Sequence, residues 1–536
     1  MKRHRLRAPD ADGALLAEPP LSQAGARLVE NVGRLERWDA EFQGRRAGRL
    51  RAMVRQQVLA QARHYHAQFG LESPPEIGPG APLVVAGHQP ELFHAGVWVK
   101  NFALAGLARE HQAAGLNLVV DNDIPKSSSI RVPHLSQRGL HTVAVEFDDG
   151  MGEVPYEDLK VNNEERFASF PDRVHQVLGG LVADPVLDEF WPLVERFRRQ
   201  TDRTGARFAL ARHAVETNWG VRNWEVPLSA VCETEGFLWF ASHLLAQLAR
   251  FQELHNAALA RYRAAHGIRS RHHPVPALGR EGEWLEAPFW VWRAGQPRRR
   301  PLLVRQLAST MELRIAGEDA PFVELPLAPD REACCAVERL LFLPAQQIRL
   351  RTRALTTTLF ARLLLGDVFL HGIGGAKYDE LNDEICRSFF GFEPPAYLTL
   401  SMTLWLGLPD DPADAERLHS VERGLRDLTF KPEHHLTDSS DTDLLAWVEA
   451  KKRAIGAPTD THAERVVRFQ EIRKCNQALQ GAVEAARSEL QVQRLRLGEG
   501  LRRNAVAHSR EYAFVLHSRA RLREALARVV PEAFRG

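Results

Sequence analysis

The sequence predicts an α/β protein built on a parallel sheet, and two stretches of the chain support this prediction. In the first, an apolar run at residues 83–86 is followed by a loop, a helical segment and a second apolar run at 118–120. In the second, runs at 348–350 and 368–370 are each followed by a helical segment. Strands that alternate with helices in this order are typical of βαβ units, in which the strands are parallel.

Length and composition exclude several classes of protein. The chain has 536 residues, 44% of them hydrophobic, and a formal net charge of +2. This charge balance does not call for nucleic acid or an anionic membrane as a partner. The five cysteines form no CxxC pair, so we expect neither a disulfide framework nor a zinc ribbon. A signal-peptide pattern and an apolar run of about 20 residues are both missing, which predicts a cytoplasmic protein.

The remaining elements follow in chain order. Apolar residues at helical spacing predict helices before Pro74 and Pro75, and a run at 142–147 reads as a third strand of the first α/β stretch. Short strand-like runs then alternate with Pro, Gly and Arg at 274–330, which indicates a small separate unit. We therefore expect an N-terminal helical segment (1–75), a core with a helical insertion (76–270), a small connecting unit (271–340), the second part of the core (341–410) and a C-terminal helical coiled-coil domain (411–536).

The coiled-coil prediction depends on a seam of residues in steps of three and four. Asn476 is a polar residue on this seam, of the kind that fixes register. A long helix that packs on its own domain would give the same pattern, and both interpretations stay open. The seam consists of Phe469, Ile472, Asn476, Leu479, Val483, Ala486, Leu490, Gln493 and Leu497.

The loop after the first strand is the first candidate site. Ligands of parallel sheets bind beyond the carboxyl ends of the strands, where a helix N-terminus favours anions. Histidines there add donors whose charge changes near neutral pH. The alternative is that the polar side chains only satisfy the loop backbone. The candidate residues are Gly87, His88, Gln89, His94, Gly96 and, farther along the helix, Lys100.

Asp121, Asn122 and Asp123 follow the second strand, so we expect them to open into the same crevice. Carboxylates there would orient an amine, accept a proton or hold a metal-bound nucleotide. Asp and Asn in this position, before Ile-Pro, are also typical of turns and helix caps, where they have a structural role only.

A glycine cluster between a strand and a helix is a third candidate, because glycines let a phosphate or sugar approach the backbone. It matches neither the Walker loop nor the dinucleotide GxGxxG pattern. Its residues are His371, Gly372, Gly374, Gly375, Lys377 and Tyr378.

Alternating arginines before a helix form the fourth candidate. Arg349, Arg351 and Arg353 would share one face of a strand, and Thr356 lies at the helix start. They would clamp a phosphate or carboxylate, unless they are surface residues beside a helix cap. Arg271-His272-His273 does not predict a metal site, because adjacent histidines on an extended chain point in opposite directions.

Two of these segments together resemble the bacillithiol synthase (bacillithiol biosynthesis cysteine-adding enzyme) family. The family's first motif reads roughly Gly-Gln-Gln-x-Gly-Leu-x-Thr-Gly-Pro with a later lysine, and its second reads Leu-Arg-Pro, a helix, Gly-Pro-Gly-Glu-x-x-Tyr and a Pro-Pro turn. The resemblance covers about residues 83–147 and 345–405. The matching residues here are Gly87-His88-Gln89-Pro90-Glu91-Leu92-Phe93-His94-Ala95-Gly96 with Lys100, then Leu350-Arg351-Thr352, Gly372-Ile373-Gly374-Gly375-Ala376-Lys377-Tyr378 and Pro394-Pro395.

The resemblance implies a Rossmann-like core related to the HIGH-type nucleotidyltransferases, a small connecting unit and a C-terminal coiled coil that makes homodimers. It also implies the family's reaction, in which cysteine is joined to the amino group of glucosaminyl malate as an amide. Several family positions differ here, among them His88, His94, Ile373 and Gly375. Changes of several site residues together usually change the substrate.

The leading hypothesis is therefore a ligase-like enzyme that joins a small amino acid or amine to an amino-sugar or acid acceptor. His94 and Asp123 are the predicted catalytic residues, and ATP or ADP is the expected nucleotide. The alternative is a catalytically retired dimeric binding or scaffold protein of the same fold. A third hypothesis is that the protein is a true nucleotidyltransferase. Against it, this chain lacks the second histidine of the His-x-Gly-His loop and has no loop like Lys-Met-Ser-Lys-Ser.

Overall fold

A computed structural model describes residues 6–76, 78, 80–137, 139–150, 152–436 and 439–534. The chain divides into two compact units. The first comprises residues 1–132, 143–406 and 510–536, and the second comprises residues 133–142 and 407–509. Helices and strands alternate through most of the first unit, so the α/β prediction is confirmed.

The strands of the described residues are numbered β1 to β16. In chain order they are Leu15–Glu18, Glu41–Phe42, Arg45–Arg46, Leu83–His88, Ala114–Val119, Ser129–Ser136, Gly139–Glu146, Trp224–Pro227, Arg280–Glu281, Trp284–Arg293, Gln296–Gln306, Met311–Ile315, Val323–Leu325, Ile348–Thr352, Val368–His371 and Leu398–Met402.

The helices of the same residues are numbered α1 to α18. They are Ala24–Glu36, Ala47–Phe69, Ala95–Glu110, Glu164–Ala168, Phe170–Leu178, Leu187–Phe197, Thr204–Asn218, Leu228–Val231, Glu235–Ala246, Leu248–His266, Cys334–Leu341, Ala354–Phe360, Ile373–Phe389, Ala415–Phe430, Thr442–Ile455, His462–Leu479, Glu484–Ala507 and Arg519–Val529. None of these helices is both long enough and apolar enough to cross a bilayer.

The main sheet of the first unit has the strand order β1-β16-β15-β4-β5-β8. The five strands from β16 to β8 are parallel, and β1 pairs with β16 in the antiparallel sense at the edge. Strands β5 and β16 are buried along their whole length, because helices cover both faces of a parallel sheet. The apolar runs that predicted this sheet lie in β4 (83–86), at the end of β5 (118–120) and in β15 (368–370).

The strand order reverses between β4 and β15. From β4 the chain passes through α3 to β5 on one side, whereas β15 leads through α13 to β16 on the other side. In open α/β sheets, ligands bind outside the carboxyl ends of the strands at such a reversal. The loops after β4, β5 and β15 therefore lie where a ligand site is expected.

A second sheet has the antiparallel order β13-β12-β11-β10-β14, and β9 pairs with β10. It contains the strand-like runs that the sequence placed in a small connecting unit. Strand β14 was predicted to belong to the parallel core, and this was wrong: it pairs with β10 in the antiparallel sense. One apolar core nevertheless joins both sheets, since Val85 and Leu116 belong to the same buried cluster as Phe289 and Leu313.

The run at 142–147 is not a third parallel strand. It forms most of β7, which among the described residues pairs with β6 alone, in a two-stranded antiparallel sheet. These two strands follow each other directly, and a parallel pair needs a crossover of a dozen or more residues. The third parallel strand of the chain is β8, which comes after the helical segment from α4 to α7.

The second unit contains the helices α14 to α17. The predicted seam is not one continuous helix, because α16 ends at Leu479 and a short 3₁₀ turn, Gly481–Val483, precedes α17. Leu479 and Val483 are buried within this unit. Helix α15 packs against α16, and α14 packs against α17. This arrangement agrees with the alternative interpretation, in which the seam residues pack on their own domain.

Candidate active site

The loop after β5 separates two cavities at the carboxyl edge of the main sheet. Asn122 and Asp123 line the first cavity, which has a volume of about 250 Å³. Asp121 lines the second cavity, which has a volume of about 380 Å³. The sequence predicted one crevice for all three residues. The structure instead sends the two carboxylates of the loop to different cavities.

Asp123 is the carboxylate of the first cavity, and three donors hold it in place. Its Oδ2 accepts a hydrogen bond from Gln89 Nε2 at 2.8 Å. Its Oδ1 accepts from Arg299 Nη1 at 2.8 Å and from the Ile124 amide at 2.9 Å. An ionised carboxylate has about four acceptor positions, so one position stays available to a ligand. The residues after the first and second predicted strands were expected to meet in one crevice, and Gln89 and Asp123 do so.

Two arginines flank the indole ring of Trp290 in this cavity. The Arg353 guanidinium lies 4.1 Å from the ring centroid, and that of Arg299 lies 5.1 Å from it. Arg353 also donates to Glu286 at 2.6 Å. Among the described residues, the Nε atoms of Arg299 and Arg353 have no hydrogen-bond partner. The cavity therefore offers donors to an anion, and cation–π contacts fix their positions.

Other polar groups of the first cavity tie its walls together. Asn122 Nδ2 donates to the Thr352 carbonyl oxygen at 2.9 Å, and Thr356 Oγ1 donates to the Pro288 carbonyl oxygen at 2.8 Å. The first bond joins the loop after β5 to β14, and the second joins α12 to the middle of β10. Asn122 and Thr356, both predicted to bind substrate, thus have structural roles. The other lining residues are Val120, Phe251, His255, Val275, Pro276, Leu278, Ala354, Leu355, Thr357, Leu359, Asn382 and Ile385.

Asp121, in the second cavity, accepts hydrogen bonds from the Ser229 amide at 2.9 Å and from its hydroxyl at 2.5 Å. Burial, and then the charge of Glu157, raise the pKa of Asp121 to about 7. This carboxyl group can therefore gain or lose a proton near neutrality, which suits acid–base chemistry. Glu157 and Ser229 come from distant parts of the chain, and no local pattern marks them.

Arg351 was predicted to clamp an anion, but the structure gives it protein partners. Its Nε and Nη2 donate to the two oxygens of Glu157 at 2.9 and 2.8 Å, and Nη2 also donates to Glu233 at 2.8 Å. The Arg351 side chain is 2% exposed. This bidentate pair fixes β14 to the loop that carries Glu157. The three arginines were also predicted to share one face of a strand, but they do not line one site. Arg349 and Arg351 line the second cavity, and Arg353 lines the first.

His88 has the structural role that the sequence left open as an alternative. Its ring is buried and contacts the Gln89 carbonyl oxygen at 3.0 Å and Asn101 Oδ1 at 3.1 Å. Burial lowers the pKa of His88 to about 3. Nearby, Lys100 Nζ donates to the Gly87 carbonyl oxygen at 3.2 Å, and burial lowers the pKa of Lys100 to about 8. Both side chains hold the end of β4 in place.

His94 is the N-cap of α3, where its Nδ1 accepts a hydrogen bond from the Gly96 amide at 3.1 Å. Burial lowers the pKa of His94 to about 4. Gly96 is explained by packing, because a Cβ atom there would overlap the Met402 carbonyl oxygen. Neither of the two cavities is lined by His94 within the described part of the chain. Its catalytic role stays a prediction.

The glycine cluster lies at the start of α13, directly after β15. His371 Nε2 lies 3.0 Å from Asp379 Oδ2, and Arg362 also pairs with this buried carboxylate. A Cβ at Gly375 would come within 2.8 Å of the His371 ring. Lys377 is exposed, and Tyr378 packs against His273, with ring centroids 5.9 Å apart.

Gly372 and Gly374 have no such internal explanation. Neither has a positive φ, and no described atom outside the adjacent chain would lie within 4 Å of a Cβ at either position. Helix α13 has no side-chain cap and no acidic residue in its first turn. An uncapped helix N-terminus at the strand-order reversal is suited to an anionic group such as a phosphate.

The structure also brings together His213, Glu216 and Glu225, which no motif in the sequence marks. Their potential ligand atoms lie within 4.8 Å of one another. Arg212 already donates to Glu216 at 2.8 Å and to Glu225 at 2.7 and 2.9 Å. Because this guanidinium supplies the counter-charge that a metal ion would bring, we assign no metal to the cluster.

These features define an α/β protein whose largely parallel sheet carries two cavities and an open helix N-terminus at its carboxyl edge. Comparison with models of known protein families found none that matches the chain. Comparison with curated proteins found no significant match either.

Proposed function

We propose that this protein is an enzyme that joins an amine to a carboxylic acid as an amide, and that the reaction takes place in the first cavity. One observation carries the proposal: Asp123, Arg299 and Arg353 surround the same space at the carboxyl edge of the main sheet. The resemblance to the bacillithiol synthase family supports this type of reaction.

Arg299 and Arg353 are the groups that would hold the acid. Guanidinium groups bind carboxylates through directed N–H donors, and these two have Nε atoms that no described protein group uses. The Trp290 ring contacts both guanidinium groups and helps to keep them in place. A carboxylate would thus be oriented before the amine arrives.

Asp123 is the group that would accept a proton from the attacking amine. An amine is a nucleophile only after its ammonium form has lost a proton, and a positioned carboxylate assists that transfer. Gln89 and Arg299 fix the Asp123 side chain while leaving an acceptor position open. Its direction is therefore set by the protein rather than by the substrate.

Amide formation from a free acid needs an activated carboxyl group, which a nucleoside triphosphate would supply. The residues that fit its phosphates are Gly372, Gly374 and Lys377 at the start of α13. The backbone there is open, the helix N-terminus attracts anions, and the Lys377 side chain is exposed. ATP is therefore the proposed activating nucleotide, and ADP is proposed only as a ligand of the same phosphate site.

The test is a product screen by mass spectrometry. The purified protein is incubated with ATP and Mg²⁺, a panel of small amines and amino acids, and a panel of carboxylic acids. We expect a new mass that equals amine plus acid minus water, and we expect it to depend on the nucleotide. If adequately sensitive screens over broad panels give no condensation product, the ligase proposal is wrong.

Gly374→Ala is expected to stabilise the protein and to weaken nucleotide binding. Alanine is favoured over glycine in a helix by about 0.5–1 kcal/mol, and the added methyl group meets no described atom at this position. The same methyl group would obstruct a phosphate at the helix start. Denaturant unfolding and the thermal shift with ATP measure the two effects.

Gly48→Ala is the matched control for this variant. Gly48 is also the second residue of a long helix, α2, and a methyl group there would likewise meet no described atom. We expect a similar gain in stability and unchanged nucleotide binding. Equal nucleotide binding by Gly374→Ala and Gly48→Ala would contradict a phosphate site at α13.

The second candidate function is a dimeric scaffold, and the surface of α16 favours it. Val466, Val467 and Phe469 on this helix have exposed fractions of 41%, 58% and 64%. Exposed apolar groups in one segment are typical of a surface that another chain covers. Leu479 and Val483 are unsuitable for testing this idea, because they are buried inside the second unit.

Phe469→Glu is expected to turn a dimer into a monomer if α16 forms the interface, since a charge would be buried against the partner. Light scattering after size-exclusion chromatography measures the mass, and Val29→Glu, at an exposed residue of α1, is the control. A dimer that persists in Phe469→Glu at low protein concentration would exclude this interface.

A further inference from the structure

The walls of the first cavity indicate which kind of acid it takes. One side is apolar and is formed by Phe251, Leu355 and Ile385, together with the Trp290 ring. The three aliphatic or phenyl side chains belong to the buried core, with exposed fractions of 2%, 7% and 1%. A ligand in this space therefore contacts carbon atoms over much of its surface.

The polar side chains of the cavity are largely occupied by protein partners. Thr356 donates to the Pro288 carbonyl oxygen, Thr357 lies 2.6 Å from Thr352 Oγ1, and Asn122 donates to Thr352. Asn382 Nδ2 donates to the Leu355 carbonyl oxygen at 2.9 Å and to Thr358 at 2.6 Å. A sugar or polyol would bring many hydroxyl groups, each of which needs a partner when buried.

Apart from the open acceptor position of Asp123, the polar capacity that is left is small and is concentrated at the arginines. Arg299 uses Nη1 on Asp123 and on the Asn122 carbonyl oxygen, and Arg353 uses Nη2 on Glu286. The Nε atoms of both arginines, and Oδ1 of Asn382, have no partner among the described residues. Asn382 is 1% exposed, so the unpartnered oxygen belongs to a fully buried side chain. These atoms suit one anionic head group with one nearby donor.

We infer that the acid bound in the first cavity is a small carboxylic acid with an aromatic or branched aliphatic body. Its carboxylate binds the guanidinium groups of Arg299 and Arg353 beside the Trp290 ring, and its body packs against Phe251, Leu355 and Ile385. The inference rests on the proposed function, because it names the acid substrate of the same site. The cavity volume of about 250 Å³ restricts the acid to a small molecule.

Phenylacetate and isovalerate are suitable probes, and malate is the polar acid for comparison. Isothermal titration of the full chain is expected to detect binding of phenylacetate or isovalerate at least tenfold tighter than that of malate. Arg353→Gln is expected to lower the affinity for the apolar acids at least tenfold. Malate binding as tight as, or tighter than, both apolar acids would overturn the inference, and so would no detectable binding of either apolar acid.

Ala354→Phe fills the cavity and provides a second test. Ala354 is an exposed residue that lines the cavity, so the variant is expected to fold. Its affinity for phenylacetate should fall at least tenfold. Ala260→Phe, at an exposed position of α10 away from the cavity lining, is the matched control and should bind as the wild type does. Unchanged binding by Ala354→Phe would contradict the assignment of the apolar body to this cavity.

The two proposals fail in different ways. If apolar acids bind and Ala354→Phe excludes them, but no amide forms with any amine, the inference stands and the proposed reaction is wrong. If an amide forms from a polar acid that binds better than the apolar acids, the reaction stands and the inference is wrong.

Discussion

Lowering the pH from 7 to 4 is expected to remove several kcal/mol from the free energy of unfolding. Burial lowers the pKa of seven histidines: His66, His94 and His243 to about 4, His88 and His517 to about 3, and His255 and His371 in the same direction. An unfolded histidine has a pKa near 6.5. Between these values the unfolded chain binds more protons than the folded protein does, so stability falls as the pH falls.

The size of the effect follows from the number of protons. Each buried neutral histidine contributes a slope of about 1.4 kcal/mol per pH unit once the pH is well below 6.5. His213 acts in the opposite direction, because the charges of Glu225 and Glu216 outweigh its burial and raise its pKa. Urea unfolding, followed by tryptophan fluorescence at pH values from 7 to 4, measures the slope. A free energy of unfolding that does not change over this range would contradict the buried neutral histidines.

His517→Leu measures the contribution of a single histidine to the pH dependence of the free energy of unfolding. Both ring nitrogens of His517 are without a partner among the described residues, and the side chain is fully buried. Leucine keeps most of the volume and cannot bind a proton. The slope between pH 6 and 4 should decrease by about 1.4 kcal/mol per pH unit.

Arg351→Met is expected to lower the free energy of unfolding by about 3–5 kcal/mol. The variant removes the cation but leaves the carboxylate of Glu157 buried and that of Glu233 without its closest partner. Breaking a buried ion pair from one side has a cost of this size, because an uncompensated charge stays behind. Urea unfolding at pH 7 measures the change.

Arg349→Met is the control on the same strand. Arg349 is 26% exposed and lies 3.5 Å from Glu233, so its loss should change stability by at most about 1 kcal/mol. Equal stabilities of the two variants would show that Arg351 is not the structural residue that its contacts indicate. In that case the original interpretation of Arg351 as an open anion clamp would regain support.

The parallel core could be predicted because its signal is local. Strands buried on both faces need continuous apolar runs, and 83–86 and 118–120 are such runs. Strand β14, Ile348–Thr352, instead alternates apolar residues with arginines, and this short pattern was not enough to show which sheet the strand joins. That choice depends on β10, some sixty residues earlier. The 3₁₀ turn Gly481–Val483 likewise interrupts a heptad pattern that continues through it in the sequence.

The candidate site was predicted only in part, for a related reason. Gln89 and Asp123 follow strands, and their positions could be inferred from the sheet. Arg299 and Trp290 reach the same cavity from the second sheet, and Glu157 reaches Arg351 from a loop. These partners are brought together by tertiary packing from distant parts of the chain, so no motif of fixed spacing predicts them. Asp121 and Asp123 are two residues apart, but the chain turns after β5 and separates their side chains.

The most direct test of the proposed active site compares two carboxylates of one loop. Asp123→Asn removes the proton acceptor of the first cavity, whereas Asp121→Asn changes the second cavity only. In the amide-forming assay with the best substrate pair, Asp123→Asn is expected to reduce kcat at least about 100-fold, as loss of a general base does. Asp121→Asn should stay within a few-fold of the wild type. Full activity of Asp123→Asn, or a greater loss in Asp121→Asn, would contradict a reaction in the first cavity.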